Sequence, residues 1–159
     1  MEALQVSPSG EAAGSVADAP TVREVMTPGL LTTRPHASVL EAMRIIVEYG
    51  ITGLPVVDEN LDLAGMISEK DLLELFHDPH IQSRQVGDLM SYDLTAAAVD
   101  TSVLDVCECL ANTSFRRLPV VDGGKLVGII SRSDLIMFIL KNPSVLTKRA
   151  AIGAAGTAQ

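Results

Sequence analysis

Apolar positions along the chain switch between two periods. Leu40, Met43, Ile46 and Val47 recur at helical spacing and predict a helix from Ser38 to Tyr49. Ser38 with Glu41 three residues on reads as a capping box, and Gly50 ends the helix. Leu54–Val57 and Leu63–Ile67 are short apolar runs around a polar turn, Asp58–Asp62, and predict a hairpin. A second short helix is expected from Asp71 to Phe76, after Ser68. Ahead of these, Val22–Met26 predicts a turn-like element and Leu30–Thr33 a short strand.

The plan then repeats. Val22, Met26, Leu30, Ser38, Val39 and Leu40 recur as Val86, Met90, Leu94, Ser102, Val103 and Leu104, each 64 residues on. Leu54-Pro55-Val56-Val57-Asp58 recurs as Leu118-Pro119-Val120-Val121-Asp122 at the same offset. Leu63, Gly65, Ile67, Ser68, Asp71 and Leu72 then match Leu126, Gly128, Ile130, Ser131, Asp134 and Leu135 at offset 63, as one residue lost from a turn would produce. Matches in this order indicate a duplicated unit of about 60 residues. In the second copy the strands are expected at Leu94–Ala97, Leu118–Val121 and Leu126–Ile130. The helices are expected from Ser102 to about Asn112 and from Arg132 to Leu140. Asp122-Gly123-Gly124 makes the hairpin turn, because adjacent glycines admit positive φ.

The division that follows is a structureless lead at 1–20, units at 21–80 and 81–141, and a tail at 142–159. A unit this small buries a modest fraction of its surface, so each half needs the other. Apolar residues are 47% of the chain and aromatics 3%, so the core is aliphatic. A net charge of −8 argues against nucleic acid, which requires a basic face. Cys107 and Cys109 are the only cysteines, and no basic segment with an apolar core opens the chain. A reducing, cytoplasmic setting without membrane insertion is therefore expected. The two thiols fall on different sides of a helix, and His77 and His80 lack a third ligand, so no metal site is expected. No nucleophile–base pair, glycine-rich phosphate loop or carboxylate cluster is present, and an enzyme is not expected.

Residues 115–134 carry Arg116, Arg117, Lys125 and Arg132 against Asp122 and Asp134, a net of +2 in an acidic chain. Serines, a carboxylate and arginines at one helix start suit a phosphorylated, hydroxyl-bearing ligand. The Ser68-x-x-Asp71 and Ser131-x-x-Asp134 pairs are equally the capping boxes that a strand-to-helix turn needs.

Each half resembles a CBS domain (cystathionine-β-synthase domain), and the whole resembles a free-standing CBS pair, or Bateman module. The resemblance rests on the Val-x-x-x-Met lead, the Ser-Val helix start, Leu-Pro-Val-Val-Asp, and the Gly-hydrophobic-Ile-Ser-x-x-Asp run, each in two ordered copies from Val22 to about Leu140. It implies an α+β fold of two β-α-β-β-α units about a pseudo-two-fold axis, commonly as a homodimer. It also implies a regulatory role in which an adenosyl compound (AMP, ADP, ATP, S-adenosylmethionine or NAD) binds between the halves and an unidentified partner protein reads the change.

On that resemblance Asp71 and Asp134 hold ribose hydroxyls, and Ser68, Ser131 and Ser133 face phosphate. Arg116 and Arg117 stand where relatives carry phosphate-directed basic residues, whereas the first half has Thr52 and Gly53 there. Because the clefts mix the halves, Arg116 and Arg117 are expected to serve the Asp71 cleft, near Lys70, and Arg132 the Asp134 cleft. Leu31 and Thr95, with Ile51, Met66, Phe115 and Ile129, supply adenine-facing or core surface. The dimer is expected through helix faces bearing Leu40, Met43, Val47, Leu104 and Leu110. The rival reading is a ligand-free dimerisation or interaction module in which the boxes only cap helices.

Overall fold

The computed structural model describes Leu4–Gln5 and residues 20–144. The remainder of the expected lead and tail lies outside the described residues. Strand β1 (Leu4–Gln5) and the short helix α1 (Val22–Val25) precede a first unit of α2 (Val39–Tyr49), β2 (Gly53–Val57), β3 (Leu63–Ser68) and α3 (Glu69–Leu73). Three 3-10 turns, Glu74–His77, Ile81–Ser83 and Val86–Asp88, lead to β4 (Thr95–Ala98), α4 (Val103–Asn112), β5 (Arg117–Asp122), β6 (Lys125–Ser131) and α5 (Arg132–Lys141). The class is α+β, with the unit duplicated. Strands β2 and β3 form an antiparallel pair, and the other sheet runs β1-β4-β5-β6, antiparallel only between β5 and β6.

Local chemistry sets the boundaries. Helix α2 ends at Gly50, whose φ of 61° is the left-handed cap that glycine adopts without steric cost. Gly123 and Gly124 both have positive φ, at 57° and 88°, as a two-residue hairpin turn requires. Helix α3 is shorter than expected, because the chain tightens into a 3-10 turn from Glu74. Its linker is held by Asp78, which accepts from the His80 N–H and from Arg84 Nε, both at 2.8 Å. The His80 amide, then Arg84, holds the Asp78 carboxyl below the usual carboxylate range.

Two expectations are corrected. Leu30–Thr33 forms no strand. Thr33 makes a single parallel bridge to Val56, whereas β4 extends alongside β5. In the second half the pairing continues through Val99, whose N–H reaches the Val121 carbonyl at 3.1 Å. The corresponding first-half residue is Pro35, which has no N–H to donate. The Ser38–Glu41 box is also incomplete: Ser38 Oγ accepts from the Leu40 N–H at 3.2 Å, but Glu41 returns no bond. The helix-start N–H of Val39 is satisfied by the Arg84 carbonyl instead.

Two aliphatic cores result, and their membership cuts across the repeat. Val22 is fully buried with Val103, Val106, Leu118 and Ile130, all in the second half. Its N–H and that of Arg23 bond to the Thr101 and Val99 carbonyls at 2.9 and 3.0 Å. Reciprocally, Val86 and Met90 are buried with Val39, Ala42, Leu54 and Ile67 of the first half. Each copy's Val-x-x-x-Met lead thus completes the other copy's core. Leu110, expected at a dimer face, is 1% exposed, because it continues the Val103, Val106 stripe onto the sheet.

The exchange explains the repeated glycine. A Cβ on Gly65 would lie 2.7 Å from Met90 Sδ and 3.0 Å from the Ser91 carbonyl, and one on Gly128 would lie 2.5 Å from Met26 Sδ. The lead methionine of one half therefore seats on the bare backbone of the other half's hairpin. Gly65→Val is expected to lower stability by about 1–3 kcal/mol, an overpacking penalty, in a chemical denaturation curve. An unchanged midpoint would show that Met90 does not need this seat.

Candidate functional site

A cavity of about 700 Å³ opens between the halves. Its floor is the antiparallel bridge between Met66 on β3 and Ser91, whose N–H and C=O groups pair both ways at 2.8 and 3.1 Å. The first half contributes Thr52 and Gly53 at the start of β2, and Ser68 to Asp71 at the β3–α3 turn. The second half contributes Ser91, Asp93 to Thr95 ahead of and within β4, and Ser114 to Arg117 between α4 and β5.

The β3–α3 turn forms because Ser68 is extended, with φ −121°, and its side chain meets Asp71. Asp71 Oδ2 accepts from the Ser68 N–H at 2.7 Å and from the Ser68 hydroxyl at 2.6 Å, while the Asp71 N–H reaches Ser68 Oγ at 3.4 Å. The capping box is complete, and both bonds fall on one carboxylate oxygen. Oδ1 takes no hydrogen bond from the described residues, which leaves an acceptor on a cavity-lining carboxylate. Capping and ligand contact are thus compatible in the same side chain.

Arg116 and Arg117 of the other half line the same cavity. The ion pairs among the described residues are Arg23–Asp122, Arg84–Asp78 and Lys125–Asp62, and none uses Arg116, Arg117 or Lys70. Arg117 Nε is buried without a hydrogen-bond partner among the described residues. A buried donor left unsatisfied costs about 1–3 kcal/mol. Lys70, Arg116 and Arg117 balance Glu69, Asp71 and Asp93 around the lining, with the two arginines adjacent in sequence. Phe115, a partly exposed aromatic ring, adds a flat apolar wall.

Of the residues singled out from sequence, Thr52, Met66, Ser68, Lys70, Asp71, Thr95, Phe115, Arg116 and Arg117 line this cavity. Leu31, Ile51, Ile129, Ser131, Arg132, Ser133 and Asp134 lie outside its lining. Each is the repeat counterpart of a residue in the lining, and Thr27 bridges Ile129 in this pseudo-symmetric seam as Ser91 bridges Met66. There Asp134 Oδ2 accepts from the Ser131 N–H at 2.8 Å and from the Ser131 hydroxyl, which also contacts Ser133 Oγ at 2.9 Å. Arg132 points its guanidinium to the Thr113 carbonyl at 2.9 Å. Sequence reasoning passed over Ser91, Asp93 and Ser114 in the lining. The available signal was that Ser91-Tyr92-Asp93 holds three hydrogen-bonding side chains where Thr27-Pro28-Gly29 of the first half holds one.

A duplicated α+β unit with exchanged leads, and a polar cavity built from both halves, defines a paired module with its main cavity at the junction of the two copies. The chain belongs to the CBS domain family, which it matches over residues 22–78 and 86–141. It is 34% identical over 152 residues to the CBS domain-containing protein CBSX2, chloroplastic, of Arabidopsis thaliana, covering 76% of this chain and 64% of that protein. It is 30% identical to an uncharacterized protein of Methanocaldococcus jannaschii, covering 74% of this chain and 42% of that one. The chain thus spans less than two thirds of these relatives' own length. A crystal structure of CBSX2 in complex with AMP superposes with a TM-score of 0.69 at 40% identity, covering 76% of this chain and 96% of that one.

Proposed function

We propose that this chain is a regulatory module that binds an adenine nucleotide in the Asp71 cavity and passes its occupancy to a partner protein. One observation carries the reading: a half-used carboxylate from one copy and two arginines from the other, in no ion pair among the described residues, line the same cavity. Asp71 Oδ1 suits a ribose hydroxyl, Arg116 and Arg117 suit a phosphate, and Phe115 suits a base. The AMP complex of CBSX2 supports the same ligand class. The role is read as regulatory because the cavity joins the two copies, so its occupancy bears on how they pack. Binding favours one packing of the two halves, and that shift is the signal.

Calorimetric titration of the intact protein with AMP, ADP, ATP, S-adenosylmethionine, NAD and adenosine tests it. AMP is expected to bind, with adenosine weaker by about tenfold or more, since a hydrogen bond to a charged group contributes about 1.5–3 kcal/mol. Absence of binding by every compound would overturn the reading and leave a ligand-free interaction module.

The partner surface includes a second copy of the chain. Leu40, Met43 and Leu104 are half-buried and Val47 is 80% exposed, so apolar helix surface is left over after folding. Light scattering at micromolar concentration is expected to give a dimer; a monomer removes this surface from consideration. None of the described helices is long and apolar enough to cross a membrane. The half-buried thiols Cys107 and Cys109 support a reducing, cytoplasmic setting, and the charge of −8 disfavours nucleic acid.

A further inference from the structure

The two long helices that precede the hairpins end differently. Helix α2 closes on Gly50, whose N–H reaches the Ile46 and Val47 carbonyls in the left-handed conformation. The duplicated position is Ser114, and α4 does not close this way: Thr113 is extended, with φ −120° and ψ 169°. The carbonyls at the end of a helix still need donors. The Thr113 hydroxyl donates to the Cys109 carbonyl at 2.8 Å, and Arg132 Nη2 donates to the Thr113 carbonyl at 2.9 Å. A cation at a helix C-terminus is also favoured by the helix dipole. The first-half counterpart of Arg132 is Glu69, which has no side-chain donor.

Arg132 has a second hold on the same segment. Its backbone N–H bonds to the Arg116 carbonyl at 3.1 Å, as that of Glu69 bonds to Thr52. One residue therefore fastens the α4–β5 loop at both ends, at Thr113 by its side chain and at Arg116 by its backbone. Between and beside those anchors lie Ser114, Phe115, Arg116 and Arg117, all of which line the Asp71 cavity. Arg132 itself does not line it.

We infer that Arg132 is a positioning residue for the Asp71 cavity, holding the extended Thr113 just beyond α4 and so setting the loop that presents Phe115, Arg116 and Arg117. The inference rests on the reading of that cavity as the nucleotide site. It also separates Arg132 from direct phosphate contact, because the guanidinium acts on a backbone carbonyl.

The test uses the full chain with Arg132→Ala and Arg132→Lys, AMP as ligand, and amide hydrogen exchange on the ligand-free protein. Arg132→Ala is expected to weaken AMP by about two- to tenfold, the equivalent of one hydrogen bond, and to speed exchange at the amides of residues 114–117. Arg132→Lys, which keeps a charged donor, is expected to recover most of both. Adding Arg132→Ala to a chain already carrying Arg116→Ala and Arg117→Ala is expected to change AMP affinity far less than in wild type, since the groups it positions are gone. A purely structural role would lower the melting temperature and leave affinity unchanged. A phosphate contact would weaken AMP with exchange in the free protein unaltered. Either result, with AMP binding intact in wild type, overturns the inference. Failure of wild type to bind AMP overturns the nucleotide reading, and this ligand-positioning role with it.

Discussion

Separated at Gln82, the two halves are expected to lose cooperative folding. The fragment ending there keeps Val22, which belongs to the second core, and lacks Val86 and Met90, which complete its own. Burying a side chain of that size contributes about 1.5–3 kcal/mol. Two such losses match the roughly 3–5 kcal/mol that a core of this size supplies. The fragment also loses the bonds from the Val39 N–H to Arg84 and from the Val86 N–H to Ala37. Circular dichroism of each half alone and of the mixture measures this, and a cooperative transition in either half near the intact melting temperature would contradict it. The exchange of leads adds a sharper comparison. A fragment from Arg34 to Ser91, which carries the lead that its core uses, is expected to retain more helix than one from Thr21 to Gln82, although both derive from the same repeat.

That comparison marks what the sequence made legible. The hairpins and their helices were readable because period-2 apolar runs, paired glycines and serine caps act locally, and the duplication doubled each signal. Which core a lead enters was not readable. Val22 and Val86 occupy equivalent places in the repeat, and nothing local distinguishes packing on the adjacent unit from packing on the distant one. The missing first strand had a local cause, Pro35, but the repeat drew attention to the match at Leu30 rather than to the proline five residues on. The site divides similarly. That Asp71 and Arg116–Arg117 share a cavity follows from mixing the halves, and the family resemblance supplied that. The orientation of Arg132 does not follow from any motif. It goes with an extended Thr113 beyond α4, where the first half closes on Gly50, and that difference is visible only in the fold.

Asp71→Ala and Asp134→Ala are expected to behave alike in stability and differently in binding. Each removes a carboxylate that accepts two bonds from its serine, so each costs about 0.5–2 kcal/mol as a lost cap. In the Asp71 variant the cavity also loses its half-used carboxylate. Two ribose hydroxyls would then lack a charged acceptor, which removes about 1.5–3 kcal/mol of binding, or roughly tenfold to a hundredfold in AMP affinity. The Asp134 variant leaves this lining intact and should bind AMP within about twofold of wild type, the spread expected of distant sites. Ser68→Ala is the control: it breaks the cap but leaves the carboxylate, so it should reproduce the stability loss with a smaller change in affinity. Arg116→Ala and Arg117→Ala should weaken AMP while leaving adenosine nearly unchanged, because they act on the phosphate. Calorimetry with AMP and adenosine across these five variants reads out each part of the ligand separately. If Asp134→Ala weakens AMP and Asp71→Ala does not, the nucleotide belongs in the pseudo-symmetric seam beside Ile129. If neither does, both boxes are helix caps alone.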